Sequence, residues 1–74
     1  MDVRNLVKMA NQIGAFFESM PDREQAKADI AMHLKKFWEP RMRKAIVDGL
    51  SGPDTEGMTV IVREAIDTHR DALI

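Results

Sequence analysis

The chain has 74 residues, 45% of them hydrophobic and 31% charged, with a formal net charge of −1 and no cysteine. That excludes disulfides, iron–sulfur ligation and thiolate chemistry by this chain, and it is the composition of a folded domain rather than a disordered tail. A core this small covers its ordering entropy narrowly, so one domain is expected, with a partner as the leading way to add stability.

The first predicted helix spans about residues 3–19. Val3, Leu6, Val7, Ala10, Ile13, Gly14 and Phe17 fall on one face at helical spacing. Met9, Phe16 and Met20 lie about a third of a turn from its centre. The apolar surface is thus about half the circumference, wider than one packing partner needs. Arg4, Lys8, Asn11 and Glu18 mark the solvent side.

Pro21 interrupts the pattern, and Asp22 followed by Gln25 resembles a capping box that opens a second helix over about 22–38. Ala26, Ile30, His33, Leu34 and Phe37 share its core face, with Trp38 at the edge. Pro40 ends this helix and can open a third, over about 40–50, because its missing N–H is no loss in a first turn. Met42, Ala45, Ile46 and Gly49 give that helix a short apolar stripe. Residues 49–54, GLSGPD, read as the clearest loop.

A fourth helix is predicted over about 55–73. Met58, Ile61, Val62, Ala65, Ile66, His69, Ala72 and Leu73 fall on one side, Arg63, Glu64, Asp67, Arg70 and Asp71 on the other. The stretch MTVIV is rich in β-branched residues, but helical spacing runs on through it and no second strand is available to pair. The expected fold class is all-α, one domain over 1–74, a small bundle of three to four short amphipathic helices.

The inventory for chemistry is thin. His69 sits among apolar residues and reads as a packed histidine. His33 has Asp29 one turn earlier, which is read as a helix-stabilising contact, since no other His or Cys completes a tetrahedral metal site. Glu64, Asp67 and Asp71 are interleaved with Arg63 and Arg70, the pattern of a salt-bridged solvent face. No glycine-rich phosphate cradle and no nucleophile–base pair is present. No catalytic, cofactor-binding or metal residue is expected. The longest apolar run, Ile13 to Phe17, is far short of a membrane span. Asp2, Arg4 and Lys8 interrupt the only apolar candidate for a secretory leader, so the cytoplasm is the expected location.

Charge is placed in blocks: −1 over residues 1–32, +4 over 33–44 and −4 over 45–74. The central block, HLKKFWEPRMRK, gathers Trp38, Met42 and five cations at a helix–Pro–helix corner. Trp and Arg are frequent binding anchors, because they bury large area and bond directionally. Phe37 is read as core, and Trp38, Arg41 and Arg43 as partner-binding.

LVKMANQIGAFF (Leu6 to Phe17) and HLKKFWEPRMR (His33 to Arg43) together resemble the two signature blocks of the delta subunit of soluble, NAD-dependent, molybdenum-containing formate dehydrogenases. The blocks cover 23 of the 74 residues. The resemblance implies a cytoplasmic, cofactor-free accessory subunit that associates with the catalytic assembly and supports its stability or the maturation of its molybdenum cofactor. The molybdenum pterin, iron–sulfur clusters, FMN and NAD site are implied for the larger subunits. Phe16, Trp38, Pro40, Arg41, Met42 and Arg43 belong to the motif. Their use at an interface, with Met9 beside them, is inferred from their chemistry. Two competing readings are a helix–turn–helix nucleic-acid binder, favoured by the +4 block and opposed by the overall acidity, and a self-associating bundle that pairs the wide face of the first helix with its copy.

Overall fold

The computed structural model describes residues 2–74, and among them there are five helices, one 3₁₀ turn and no strand. Helix α1 (Val3–Phe17) starts where Asp2 accepts a hydrogen bond from the Arg4 N–H at 3.0 Å. It ends two residues before the predicted boundary, in a turn closed by the Met20 N–H on the Phe17 carbonyl. Helix α2 (Arg23–Phe37) carries half of the predicted capping box. Asp22 accepts from the Gln25 N–H at 3.2 Å, but the Gln25 amide reaches forward to Asp29 at 2.9 Å instead of back to Asp22. Asp29 thus serves Gln25 through Oδ1, and the expected Asp29–His33 pair is not among the hydrogen bonds or ion pairs of the described residues.

Pro40 forces Glu39 out of the helical region, and Trp38 is extended with it, at ψ 143°. Pro40 then opens α3 (Pro40–Asp48), which stops one residue before Gly49.

The predicted fourth helix is broken at two places. Pro53–Thr55 form a 3₁₀ turn, α4 begins only at Val60 and runs to Thr68, and α5 (Arg70–Leu73) follows. The late start has a local cause. Asn11 of α1 donates from Nδ2 to the Gly57 carbonyl at 2.9 Å and accepts the Thr59 N–H at 3.0 Å, holding residues 57–59 off the helical path. Asn11 is therefore a half-buried clamp, not the solvent-side marker that its wheel position suggests. The second break is at His69 (φ −108°, ψ 21°), after which the Ala72 N–H closes on the His69 carbonyl at 3.0 Å. The new axis buries Leu73 and leaves Ala72 exposed, contrary to the continuous wheel.

Buried Leu6, Val7 and Ala10 of α1, Ala26, Ile30 and Leu34 of α2, Ile46 of α3 and Ile61, Val62, Ala65 and Ile66 of α4 make one continuous core. A Cβ on Gly14 would overlap the Val62 side chain, so glycine is what lets α1 and α4 approach this closely. The radius of gyration is 10.9 Å, beside about 11 Å expected for a folded chain of this length. The chain closes its own core.

One guanidinium group fastens the loop between α3 and α4 from inside. Arg63, expected on the solvent side of the last helix, donates to the carbonyls of Leu50 at 2.8 Å and Thr55 at 2.6 Å. Thr55 is fully buried, and its hydroxyl lies within 3.0–3.2 Å of the carbonyls of Gly49, Leu50 and Gly52. The loop that composition marks as soft is thus pinned from the α4 side. On the other side of α4, Glu64 receives Arg23 at 3.1 Å and the buried Lys27 at 3.7 Å, with Lys27 also on Glu24 at 2.8 Å.

Candidate docking face

Phe37 and Trp38 exchange the places expected of them. Phe37, read as core, is 66% exposed, and Trp38, read as a surface anchor, is 7% exposed and part of the core cluster. The helical wheel stops applying at Phe37, the last residue of α2. Trp38 lies beyond it on extended backbone, which turns its indole inward. Phe17, the last residue of α1, lies against His33, and Phe37, one turn further along α2, meets the same imidazole and stays exposed.

The basic corner is correspondingly less available than its sequence suggests. Arg43 is half-buried and bonds backbone carbonyls of its own chain: Leu73 at 3.0 Å through Nε, and Lys35 at 2.8 Å and Trp38 at 3.1 Å through Nη1. Met42 is half-buried beside the core. Lys44 pairs with Asp48 at 2.7 Å. Pro40 and Arg41 remain exposed.

The exposed apolar surface lies elsewhere, across α1 and α2. Two adjoining hollows share Phe17 and His33: one is also lined by Met9, Gln12, Ile13 and Phe16, the other by Asp29, Met32, Lys36 and Phe37. Their rings form a run. Phe16 meets Phe17 edge to face at 5.0 Å between centroids, Phe17 meets His33 at 6.3 Å, and His33 meets Phe37 at 4.7 Å. The Lys36 ammonium stands 5.8 Å from the Phe37 centroid. Phe16 is 76% exposed, Met32 64% and Met9 36%. Isolated exposed hydrophobes need no explanation, but a contiguous aromatic and methionine face is the composition of a recognition surface.

Of the residues expected at an interface, the structure brings Met9 and Phe16 into this face and keeps Trp38 and Arg43 for the fold. Sequence reasoning missed Phe17, Met32, His33 and Phe37 as its other half. One signal was available: the apolar circumference of the first helix is too wide for its single packing direction. A second was Met32, a methionine on the otherwise polar back of α2.

Among the described residues, no group of three or more His, Asp or Glu side chains gathers as metal ligands, and no helix is long and apolar enough to cross a membrane. The sequence model of one family, described as "NADH-dependant formate dehydrogenase delta subunit FdsD", matches residues 5–66. No curated protein and no solved structure matches the chain.

Proposed function

Because this chain belongs to the NADH-dependent formate dehydrogenase delta-subunit family, we propose that it is a non-catalytic accessory subunit that docks on the catalytic assembly and supports its stability or the maturation of its molybdenum cofactor. The observation that carries docking is the continuous Phe16–Phe17–His33–Phe37 face, left open by a chain that has already closed its core. Exposed rings of this kind cost solubility and gain nothing for the isolated fold, so they favour a partner. The redox chemistry belongs, in this reading, to cofactors held by the larger subunits. This chain supplies shape, apolar area and a cationic edge. The cytoplasm is the compartment in which it works.

The competing nucleic-acid reading loses ground at the corner that suggested it. Arg43 and Lys44 are committed within the chain, leaving Lys35, Lys36 and Arg41 as the cations of the block without an ion-pair partner among the described residues, a thin footprint for phosphate binding.

The test is co-expression of a tagged chain with the large formate dehydrogenase subunits. Recovery of those subunits with the tag is expected. In cells lacking the chain, formate-dependent NAD reduction should fall. If activity falls at unchanged molybdenum content, the chain stabilises the assembly; if molybdenum content falls with it, the chain acts in maturation. Normal activity without the chain and no co-purified subunit would sink the proposal.

A further inference from the structure

Resting on that subunit reading, we propose that the α1–α2 face receives one amphipathic helix of a larger subunit, apolar on its inner side and carrying a carboxylate at the end that lies over Lys36. Three observations select this occupant. The first is the backbone. The face is built from helices whose amide groups are internally bonded, and no sheet edge exists among the described residues. A β-strand laid on it would have no edge to pair with, whereas a helix satisfies its own N–H and C=O groups.

The second observation is charge. The α1 side of the hollow is neutral, lined by Met9, Gln12 and Phe16; the α2 side carries one acid, Asp29, two turns before Phe37, which keeps its charge although Gln25 donates to it, and one cation, Lys36. Lys36 lines the far end beside Phe37, whereas Lys35 is exposed on the neighbouring side of α2 with Ala28 and Ala31, and neither is ion-paired among the described residues. The end at Lys36 therefore attracts a carboxylate, and a single charge of that sign placed there lies away from Asp29.

The third is area. Taking about 200 Å² for each full side chain, the exposed parts of Phe16, Phe37, Met32 and Met9 come to roughly 400–500 Å². A standard self-sufficient interface covers about 800 Å² per partner. The face is small for a dimer of this chain and suits one helix of a larger contact.

The experiment uses the tagged chain co-expressed with the large subunits, comparing wild type, Phe16→Asp with Phe37→Asp, and Lys36→Glu. All should keep wild-type helicity, since the replaced side chains are exposed. The aromatic variant should recover about tenfold less large subunit or lower still, the scale of losing central anchors. The lysine variant should weaken recovery and reverse its salt dependence, because salt then screens a repulsion instead of an attraction. A photoreactive benzophenone side chain in place of Phe16 should cross-link to a helical, acid-bearing peptide of a large subunit, a readout that does not depend on how well the variants fold. If wild type recovers the large subunits and the aromatic variant does so equally, the face is wrong and the subunit reading stands. If wild type recovers none, the subunit reading itself fails. A cross-link to a second copy of this chain would replace the proposed helix with a homodimer, and salt-independent recovery of the wild type would remove its carboxylate.

Discussion

Arg43 of α3 donates through Nε to the carbonyl of Leu73 at the end of α5, 30 residues away, at 3.0 Å. Its Nη1 serves Lys35 and Trp38 at the same time, so one fork closes the ends of two helices and the bend between α2 and α3. Lysine cannot copy that geometry. Arg43→Lys should lower the free energy of unfolding by about 1–3 kcal/mol. Urea midpoints measure it, and identical midpoints would mean that water replaces these contacts without loss.

The adjacent pair at the end of α2 should behave in opposite ways. Trp38→Ala removes a buried indole from the core and should cost about 3–5 kcal/mol. Phe37→Ala removes an exposed ring and should stay within about 0.5 kcal/mol of wild type. Thermal melts of the two variants decide this. Comparable losses would show that Phe37 packs more deeply than its exposure indicates.

Gly14→Ala tests the crossing of α1 on α4. Alanine favours a helix over glycine by about 1 kcal/mol, but here the new methyl meets the Val62 side chain, and overpacking a tight core costs about 1–3 kcal/mol. A net loss is expected. Gly14→Ala combined with Val62→Ala should recover part of it, because the space is returned. Stabilisation by the single variant would mean that the helices separate easily.

Thr55→Val keeps the shape and deletes the hydroxyl that faces three carbonyls and lies 3.4 Å from Arg63 Nη2. A buried acceptor left without its donor costs about 1–3 kcal/mol. The variant should also speed amide exchange in residues 49–57 ahead of the helices, read by mass spectrometry. Uniform acceleration would place the damage in the whole fold instead.

Much of this fold is legible in the sequence because local physics decides it. Asp22 caps α2, Pro40 opens α3, and Leu6, Ala10, Ile30 and Val62 reach the core from their spacing alone. The misreadings have a common origin in long-range contacts. Asn11 and Arg63 look like solvent-side residues on a wheel, yet each finds backbone groups on another part of the chain. Trp38 falls outside the helix whose periodicity was used to place it. The candidate docking face is half legible: the surplus apolar width of α1 points to Met9 and Phe16, whereas its α2 half depends on how α1 packs beside His33 and Phe37, which spacing along one helix does not encode.

The burial of Trp38 has an optical consequence. It is the chain's single tryptophan, and its indole sits in the core while the exposed rings of the α1–α2 face belong to phenylalanine. Excitation at the red edge of aromatic absorption therefore addresses one chromophore whose emission follows the integrity of the interior. A ligand settling over Phe16 and Phe37 should leave that emission largely unmoved, whereas loosening of the bundle should shift it to the red. Loss of association and loss of structure are thus separable in one cuvette without any label.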